Sequence, residues 1–244
     1  MDEQGYLFFR NLIPADRVLR VRRAVLEHCR KAGWLDPSRD LMDGVASPTM
    51  EPVSESDPAT KSKYLEVYRQ ILRTPIFHDF PQQPELMQAA SQILTGEVLV
   101  HPRRIGRVTW PRYQQATTPP HQDHFYIRGT VETYSCWTPL GECPMELGSL
   151  AVWSGSHQRG FIEHNLKIPY ATGGSGVPVE DEIEWHASDF GIGDALFFHS
   201  FTVHKALPNQ TPDRLRLSTD NRYQAAQDEI DPASLKPHFN LDVN

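Results

Sequence analysis

Cysteine is scarce in this chain, and the few cysteines form no disulfide or metal-binding pattern. The 244 residues contain three of them, Cys29, Cys136 and Cys143, with no CxxC pair. An odd number of widely spaced thiols argues against a disulfide framework and against a structural zinc site. We therefore expect reduced thiols in a cytoplasmic protein.

Long apolar runs and an excess of positive charge are also missing. No segment approaches the roughly 18 apolar residues of a transmembrane helix, and the N-terminal MDEQGYLFFRNLIP lacks the basic and apolar regions of a signal peptide. The formal net charge of −7 argues against nucleic acid and anionic membranes as partners, since both repel an acidic chain. We expect a globular protein with a small-molecule partner.

The N-terminal part has the apolar periodicity of helices. One helix is predicted between Pro14 and Gly33, and two more are predicted around residues 64–72 and 84–94. Residues 36–60 are rich in Pro, Asp and Ser, which predicts a long loop.

After the helical part, short runs of β-branched and aromatic residues alternate with turns. We interpret these runs as strands: EVLVHP, GRVTW, HFYIRG, VETYSCW, GSLAVW, DALFFHS and LRLSTDNRY. Such a series predicts a mainly β fold with flanking α-helices, either a sandwich or a jelly roll. We expect one domain over residues 1–244, with mostly helical support in 1–95, a jelly-roll core in 96–225 and a C-terminal tail in 226–244.

Two histidines and an aspartate have the spacing of a metal site. His121 and Asp123 occur in PPHQDHFYIRG, and His204 occurs in GDALFFHSFTVHKALPN. Residues at i and i+2 on a strand project from one face, so we expect His121 and Asp123 to be neighbouring ligands, joined by His204 from a distant strand. Two His and one carboxylate on one face of a metal are typical of non-haem Fe(II) oxygenases. An isolated HxD pair can equally be structural.

Three polar residues follow the distal histidine at alternate positions. Arg214, Arg216 and Ser218 would share one face of a strand. A guanidinium beside a hydroxyl suits a carboxylate ligand, because Arg can form two parallel hydrogen bonds with it. The alternative for alternating arginines is a solvated strand face.

These motifs resemble those of the phytanoyl-CoA dioxygenase family of Fe(II)- and 2-oxoglutarate-dependent oxygenases. The similarity runs from QGYLFFRNLIPADRV through HQD to GSLAVWSGSHQRG, GDALFFHSFTVHKALPN and RLRLSTDNRYQ, and it is weakest between residues 36 and 95. The resemblance implies a double-stranded β-helix, a cupin-like jelly roll with N-terminal helical support. It also implies that Fe(II) is bound by His121, Asp123 and His204.

The resemblance further implies a cosubstrate site. In the family, an Arg about eleven residues after the distal His binds the far carboxylate of 2-oxoglutarate. Arg214 lies ten residues after His204 and Arg216 lies twelve after it, so both remain candidates, with Arg216 and Ser218 preferred. Trp137 matches a position that commonly carries Trp near the cosubstrate, and ordinary core packing is the alternative for it.

The implied reaction consumes 2-oxoglutarate and O2 and releases succinate and CO2. It hydroxylates or otherwise oxidises a small organic substrate, and we expect a setting in specialised metabolism. Halogenating relatives replace the carboxylate of the metal site by a small residue, so Asp123 favours plain oxidation. The alternatives are a cupin-like metal-dependent isomerase or hydrolase and a non-catalytic 2-oxoglutarate-binding protein.

Candidate residues of the substrate pocket lie near these motifs. They are Tyr126, Arg128, Trp110 and Trp153. Aromatic residues on barrel strands are also typical of a core. The stretch from Ile162 to Trp185 contains ATGGSG at 171–176 and is predicted to be a flexible loop. We expect the loop at 36–60 and the Gly-rich loop at 171–176 to determine which substrate is accepted.

Overall fold

The described residues of the N-terminal part form four α-helices. In the computed structural model, which describes residues 1–51, 58–112, 117–167, 175–179 and 182–240, these are α1 (Ala15–Lys31), α2 (Pro58–Arg73), α3 (Pro75–His78) and α4 (Pro84–Ile93). Pro14 precedes α1, and Gly33 follows it with a φ of +75°, a left-handed conformation common where a helix ends. The three predicted helices are confirmed.

Short antiparallel strands make up most of the remaining regular structure in the described residues. The large sheet has the order β1-β9-β4-β11-β2, with β3 also paired to β11; a second sheet has the order β10-β5-β8, and β6 pairs with β7. The mainly β prediction is confirmed, although β1 was not foreseen. The strands are β1 (Tyr6–Phe9), β2 (Val98–Val100), β3 (Ile105–Thr109), β4 (Tyr134–Pro139), β5 (Leu150–Trp153), β6 (Leu166–Lys167), β7 (Ser175–Gly176), β8 (Trp185–Ala187), β9 (Ala195–His199), β10 (His204–Ala206) and β11 (Arg216–Ala225).

The large sheet separates two hydrophobic cores. Phe197 and Tyr223 pack on the face that carries the helices, whereas Trp137 and Phe198 pack on the other face with Val152 of the second sheet. Successive strand residues point to opposite faces, which is how β9 serves both cores. Each large apolar side chain buried in this way contributes about 1.5–3 kcal/mol. The second core places the inner faces of the two sheets opposite each other.

One predicted strand is a helical turn. The segment HFYIRG contains α5 (His124–Ile127), so the strand prediction for 124–129 is wrong. Backbone N–H groups of Tyr126 and Ile127 donate to the carbonyl of Asp123 at 2.9 and 3.0 Å. Aromatic and β-branched residues favour strands only where their surroundings supply a sheet partner, and here the local hydrogen bonds take that place.

The two predicted loops lie partly outside the described residues. Residues 52–57 of the first segment fall outside them, and α2 already begins at Pro58. In the segment 162–185, strands β6 and β7 pair with each other, while residues 168–174 and 180–181 fall outside. The second segment therefore contains more regular structure than predicted.

Candidate metal centre

Two histidines and one aspartate from distant parts of the chain meet at the second sheet. His121 and His204 form an isolated antiparallel bridge, in which each backbone N–H donates to the other carbonyl at 3.0 Å. Asp123 Oδ1 lies 3.8 Å from His121 Nε2 and 3.9 Å from His204 Nε2. One potential ligand atom from each residue lies within 4.8 Å of the others, and all three residues are buried. The three predicted metal ligands are thus brought together.

Asp123 reaches this place by a different route from the predicted one. It does not lie on a strand: its φ of −62° and ψ of −30° are helical, and it forms the N-cap of α5. The bridge to β10 holds His121, and the turn then places Asp123 beside it. His124 follows in α5, where its ring packs 5.0 Å from that of Phe201. The two expected ligands are therefore adjacent for a reason other than strand alternation.

Both imidazoles present a free Nε2 to Asp123. Nδ1 of His121 lies 2.7 Å from the carbonyl oxygen of Pro119, and Nδ1 of His204 lies 3.0 Å from that of Thr202. A carbonyl oxygen only accepts, so each Nδ1 carries the hydrogen and each Nε2 carries a lone pair. Burial lowers the pKa of both histidines, and their proximity lowers that of His121 further. Neutral imidazoles oriented in this way are ready to bind a metal.

The carboxylate of Asp123 is held by Arg222 and Ser135. Arg222 Nη2 lies 3.1 Å from both carboxylate oxygens, its Nε lies 3.3 Å from Oδ2, and the Ser135 hydroxyl donates to Oδ2. Burial opposes the charged form, but Arg222 and the two histidines outweigh it and hold the pKa of Asp123 below its ordinary value. The ionised carboxylate completes a donor set of two imidazole nitrogens and one oxygen, which suits Fe(II).

Neither partner of Asp123 was predicted from the sequence, although one signal for Arg222 existed. Arg216, Ser218 and Arg222 are separated by even numbers of residues on β11, so they share one face of it. Extending along the strand the alternation that links Arg216 to Ser218 leads directly to Arg222. Ser135 lies on β4, and no comparable pattern links it to Asp123.

Arg216 is a buried guanidinium in the same cavity as the triad. It is 2% exposed, its Nη1 donates to Ser218 Oγ at 2.6 Å, and its buried Nε has no hydrogen-bond partner among the described residues. Its Cζ lies 6.0 Å from the centre of the Trp137 ring, and burial lowers the pKa of Arg216. Leaving such a group unpaired at depth is unfavourable, so the position suits an anionic ligand.

Arg214 lies elsewhere. Its backbone bridges Val45, and its side chain lines a separate cavity with Arg22 and Asp43. The alternation predicted from 214 to 218 fails at its first residue because β11 begins at Arg216.

A larger cavity of about 290 Å³ also adjoins the metal ligands. Of the four residues predicted for a substrate pocket, Tyr126 belongs to its wall, and the Tyr126 hydroxyl donates to the carbonyl of Ser175 at 2.9 Å. The wall consists of Arg103, Ile105, Arg107, Thr118, Pro119, His121, Asp123, Tyr126, Ile127, Arg222, His238 and Phe239.

The other three predicted pocket residues have different surroundings. Trp110 packs between Trp34 and Tyr64, with ring centres 5.4 and 5.7 Å away, in the core beside the helices. Trp153 belongs to a small apolar cluster, and Arg128 follows the last residue of α5 with a φ of +56°. None of the three belongs to the wall of this cavity within the described part of the chain. For both tryptophans the core interpretation fits their positions.

Known proteins resemble this chain over most of its length. The model of the phytanoyl-CoA dioxygenase (PhyH) family matches residues 1–217. The 1-deoxypentalenic acid 11-beta-hydroxylase of Streptomyces exfoliatus is 28% identical over 243 residues, which cover 92% of this chain and 79% of the relative.

Solved structures share the fold. The apo form of ThoJ, a non-heme monooxygenase, has a TM-score of 0.65 at 17% identity and covers 94% of this chain and 77% of its own. EvdO2 from Micromonospora carbonacea var. aurantiaca, complexed with 2-oxoglutarate, has a TM-score of 0.61 at 22% identity and covers 94% of this chain and 91% of its own. These likenesses confirm the predicted jelly roll with flanking helices.

The family match confirms the resemblance predicted from the sequence motifs. It also favours the oxygenase interpretation over a metal-dependent isomerase or hydrolase and over a non-catalytic binding protein. The two imidazoles and the carboxylate fit the iron that such an oxygenase uses. The chain belongs to the phytanoyl-CoA dioxygenase family and is an iron- and 2-oxoglutarate-dependent oxygenase.

Proposed function

We propose that His121, Asp123 and His204 hold Fe(II), that Arg216 binds the far carboxylate of 2-oxoglutarate, and that the enzyme hydroxylates or otherwise oxidises a small organic molecule. The observation that carries this proposal is the cavity that joins the triad to the buried guanidinium of Arg216, whose Nε has no hydrogen-bond partner among the described residues. When bound, iron together with 2-oxoglutarate and O2 supplies the oxidising power for C–H cleavage, with release of succinate and CO2.

The protein's own residues supply orientation and charge. The hydrogen bonds from Nδ1 of His121 and His204 to backbone carbonyls hold the two rings so that Nε2 faces the metal position. Arg222 holds the carboxylate of Asp123 by donating to both of its oxygens. These contacts fix the rings and the carboxylate in an orientation that suits a metal.

Arg216 and Ser218 form a matched pair for a carboxylate. Because Ser218 Oγ accepts a hydrogen bond from Arg216 Nη1, its own hydrogen is free to point to an incoming oxygen. The unpartnered Nε of Arg216 offers a second donor, and a guanidinium edge pairs with a carboxylate through two hydrogen bonds. Trp137 lies beside this position and would limit the space left to the cosubstrate.

Binding of 2-oxoglutarate tests the assignment of Arg216. Calorimetry with Fe(II)-loaded protein under anaerobic conditions should show at least about ten-fold weaker binding of 2-oxoglutarate to Arg216→Gln than to the unmodified protein, since a charged hydrogen bond is lost. Arg214→Gln is the matched control and should bind it normally. A weakened Arg214→Gln with an unaffected Arg216→Gln would reverse the assignment.

Succinate formation tests the metal ligands. The reconstituted protein should convert 2-oxoglutarate to succinate when Fe(II), O2 and substrate are present, and His121→Ala should abolish this conversion because a ligand is removed. Turnover retained in His121→Ala, or turnover that does not need O2, would contradict the proposal.

The proposed partner is a small molecule in specialised metabolism, with neither nucleic acid nor a membrane involved. The Streptomyces relative is named for the hydroxylation of 1-deoxypentalenic acid, and the larger cavity has room for a compact substrate. No described helix is long and apolar enough to cross a bilayer.

The three cysteines are buried free thiols, which supports a reducing, cytoplasmic location. We also propose that residues 1–244 act as one oxygenase domain.

A further inference from the structure

The larger cavity has an apolar wall beside the metal ligands. Ile105, Ile127 and Phe239 contribute to it. Phe239 comes from the C-terminal segment, which lies beyond residue 217, where the family match ends. At about 290 Å³ the cavity lies near the lower end of small-molecule sites. These features favour a compact substrate with an apolar body, contacted partly by residues outside the shared family region.

The same wall carries a guanidinium with free donors. Arg107 Nε lies 2.8 Å from Asp220 Oδ2, and 26% of the Arg107 side chain is exposed. Its Nη1 and Nη2 donate to no described residue. Burial opposes the charge of Arg107, but Asp220 outweighs burial and raises its pKa above the ordinary value. Arg107 is therefore charged and has one edge available to a ligand.

Arg103 contributes a second guanidinium. Its Nε donates to the carbonyl of Lys236 at 3.0 Å, and its Nη2 donates to that of Ala233. These partners are neutral, and within the described ranges no carboxylate lies within ion-pair distance of Arg103. Burial and the charge of Arg222 lower the pKa of Arg103, and nearby Asp231 offsets them only in part; Asp231 accepts a hydrogen bond from the Ala233 N–H. Arg103 thus holds the C-terminal segment through backbone carbonyls and has no carboxylate in ion-pair contact among the described residues.

Arginines outnumber carboxylates around these cavities. Among the described residues that line the two adjoining cavities, four arginines face two aspartates: Arg103, Arg107, Arg216 and Arg222 against Asp123 and Asp220. Asp220 pairs with Arg107, and Asp123 pairs with Arg222. Arg216 is assigned to 2-oxoglutarate, which leaves Arg103 and the open edge of Arg107 for a substrate.

We infer that the substrate is an organic carboxylate with an apolar body, and that its carboxylate pairs with Arg107 and Arg103. The guanidinium edges provide the parallel donors that a carboxylate accepts, while the apolar body lies against Ile105, Ile127 and Phe239. This inference rests on the proposed function, because it takes the larger cavity as the place where the oxidised substrate binds.

Matched acids and amides test this inference. The probes are 1-adamantanecarboxylate and 1-adamantanecarboxamide, with cyclohexaneacetate and cyclohexaneacetamide as a second pair. Calorimetry uses the Fe(II)- and 2-oxoglutarate-loaded protein without oxygen. At least one acid should bind with an affinity about ten-fold or more above that of its amide, since a charge-assisted hydrogen bond is gained. Arg107→Gln and Arg103→Gln should each reduce this preference, and Arg107→Gln, in which Arg103 still holds the C-terminal segment, should leave amide binding unchanged.

Several outcomes would overturn the inference. These are equal affinity for acid and amide, no measurable binding of either acid, and an equal loss of acid and amide binding in Arg107→Gln. Arg20→Gln on the exposed face of α1 is the control and should keep the full preference. Because 2-oxoglutarate binding is measured first in the same preparation, its absence would refute the proposed function and not the preference for acids.

Discussion

Replacing Arg222 by Gln should strongly destabilise the metal-free protein. Arg222 and Asp123 are 3% and 2% exposed, and the substitution removes contacts of 3.1, 3.1 and 3.3 Å from the carboxylate. Breaking a buried ion pair by removing one partner costs about 3–5 kcal/mol. Because the hydroxyl of Ser135 still donates to Asp123, we expect the lower end, about 3 kcal/mol in the free energy of unfolding.

Urea denaturation in the presence of a chelator measures this effect. With a slope of about 3 kcal/mol per M, a loss of about 3 kcal/mol moves the midpoint down by about 1 M. The matched control is Arg20→Gln on α1. Arg20 Nη2 lies 3.4 Å from Asp16 Oδ2, and the side chain of Asp16 is 73% exposed. An exposed pair of this kind contributes at most about 0.5 kcal/mol, so the control should keep its midpoint nearly unchanged.

A double-mutant cycle separates the ion pair from other consequences of the substitution. Asp123→Asn removes the carboxylate charge, so adding Arg222→Gln to it should cost clearly less than Arg222→Gln alone. Two results would refute the reasoning. One is a coupling energy between Asp123 and Arg222 below about 0.5 kcal/mol, and the other is a urea midpoint of Arg222→Gln that is no lower than that of the Arg20→Gln control. Arg222 would then not be the main partner of Asp123.

Three further predictions concern protonation. The pKa of buried His101 is lowered to about 4, so the unfolded chain takes up a proton near pH 6.5 that the folded chain does not. Stability should therefore fall by about 1 kcal/mol between pH 7.5 and 5.5 through this group, and His101→Gln should flatten the pH profile of urea unfolding; an unchanged slope would contradict this. Two histidines of ordinary pKa would bind Co(II) roughly ten-fold more weakly at pH 6 than at pH 7.5, because both become protonated. Since the pKa values of His121 and His204 are lowered, the Co(II) affinity of the metal-free protein should change much less over this range. Burial raises the pKa of Cys29 to about 12, that of Cys136 to about 12 and that of Cys143 to about 11. Iodoacetamide should therefore label these thiols only in urea, and rapid labelling of the native protein would count against their burial.

The helices and most strands follow from local patterns in the sequence. The apolar spacing between Pro14 and Gly33 matches α1 because one face of that helix is buried in the core on the helical side of the large sheet, and the buried Val18, Val21 and Val25 mark that face. HFYIRG is the exception, since the same residue types that favour a strand form α5 here. Local propensity carries little energy compared with the contacts that a segment makes in the folded chain.

The choice between Arg214 and Arg216 shows why residue counting along the chain was insufficient. The distance from His204 to the start of β11 depends on the path of the intervening loop. In this loop Asn209 Nδ2 donates to the carbonyl of Arg214 at 2.7 Å, and Thr211 Oγ1 accepts from its N–H at 3.3 Å. These contacts hold Arg214 outside the strand, so Arg216 is the first arginine whose side chain enters the cavity.

The sequence by itself determined the fold class, the chemistry of the site and its three candidate metal ligands. Residue type and spacing are local properties, and they were enough to recognise the HxD pair and the distant His as candidate metal ligands. Tertiary structure alone decided the partners of these ligands. Arg222 meets Asp123 across 99 residues of chain, and Arg103 and Arg107 meet Phe239 in one cavity. Such pairs form only when the sheets and the C-terminal segment have packed, because no periodic pattern connects residues so far apart.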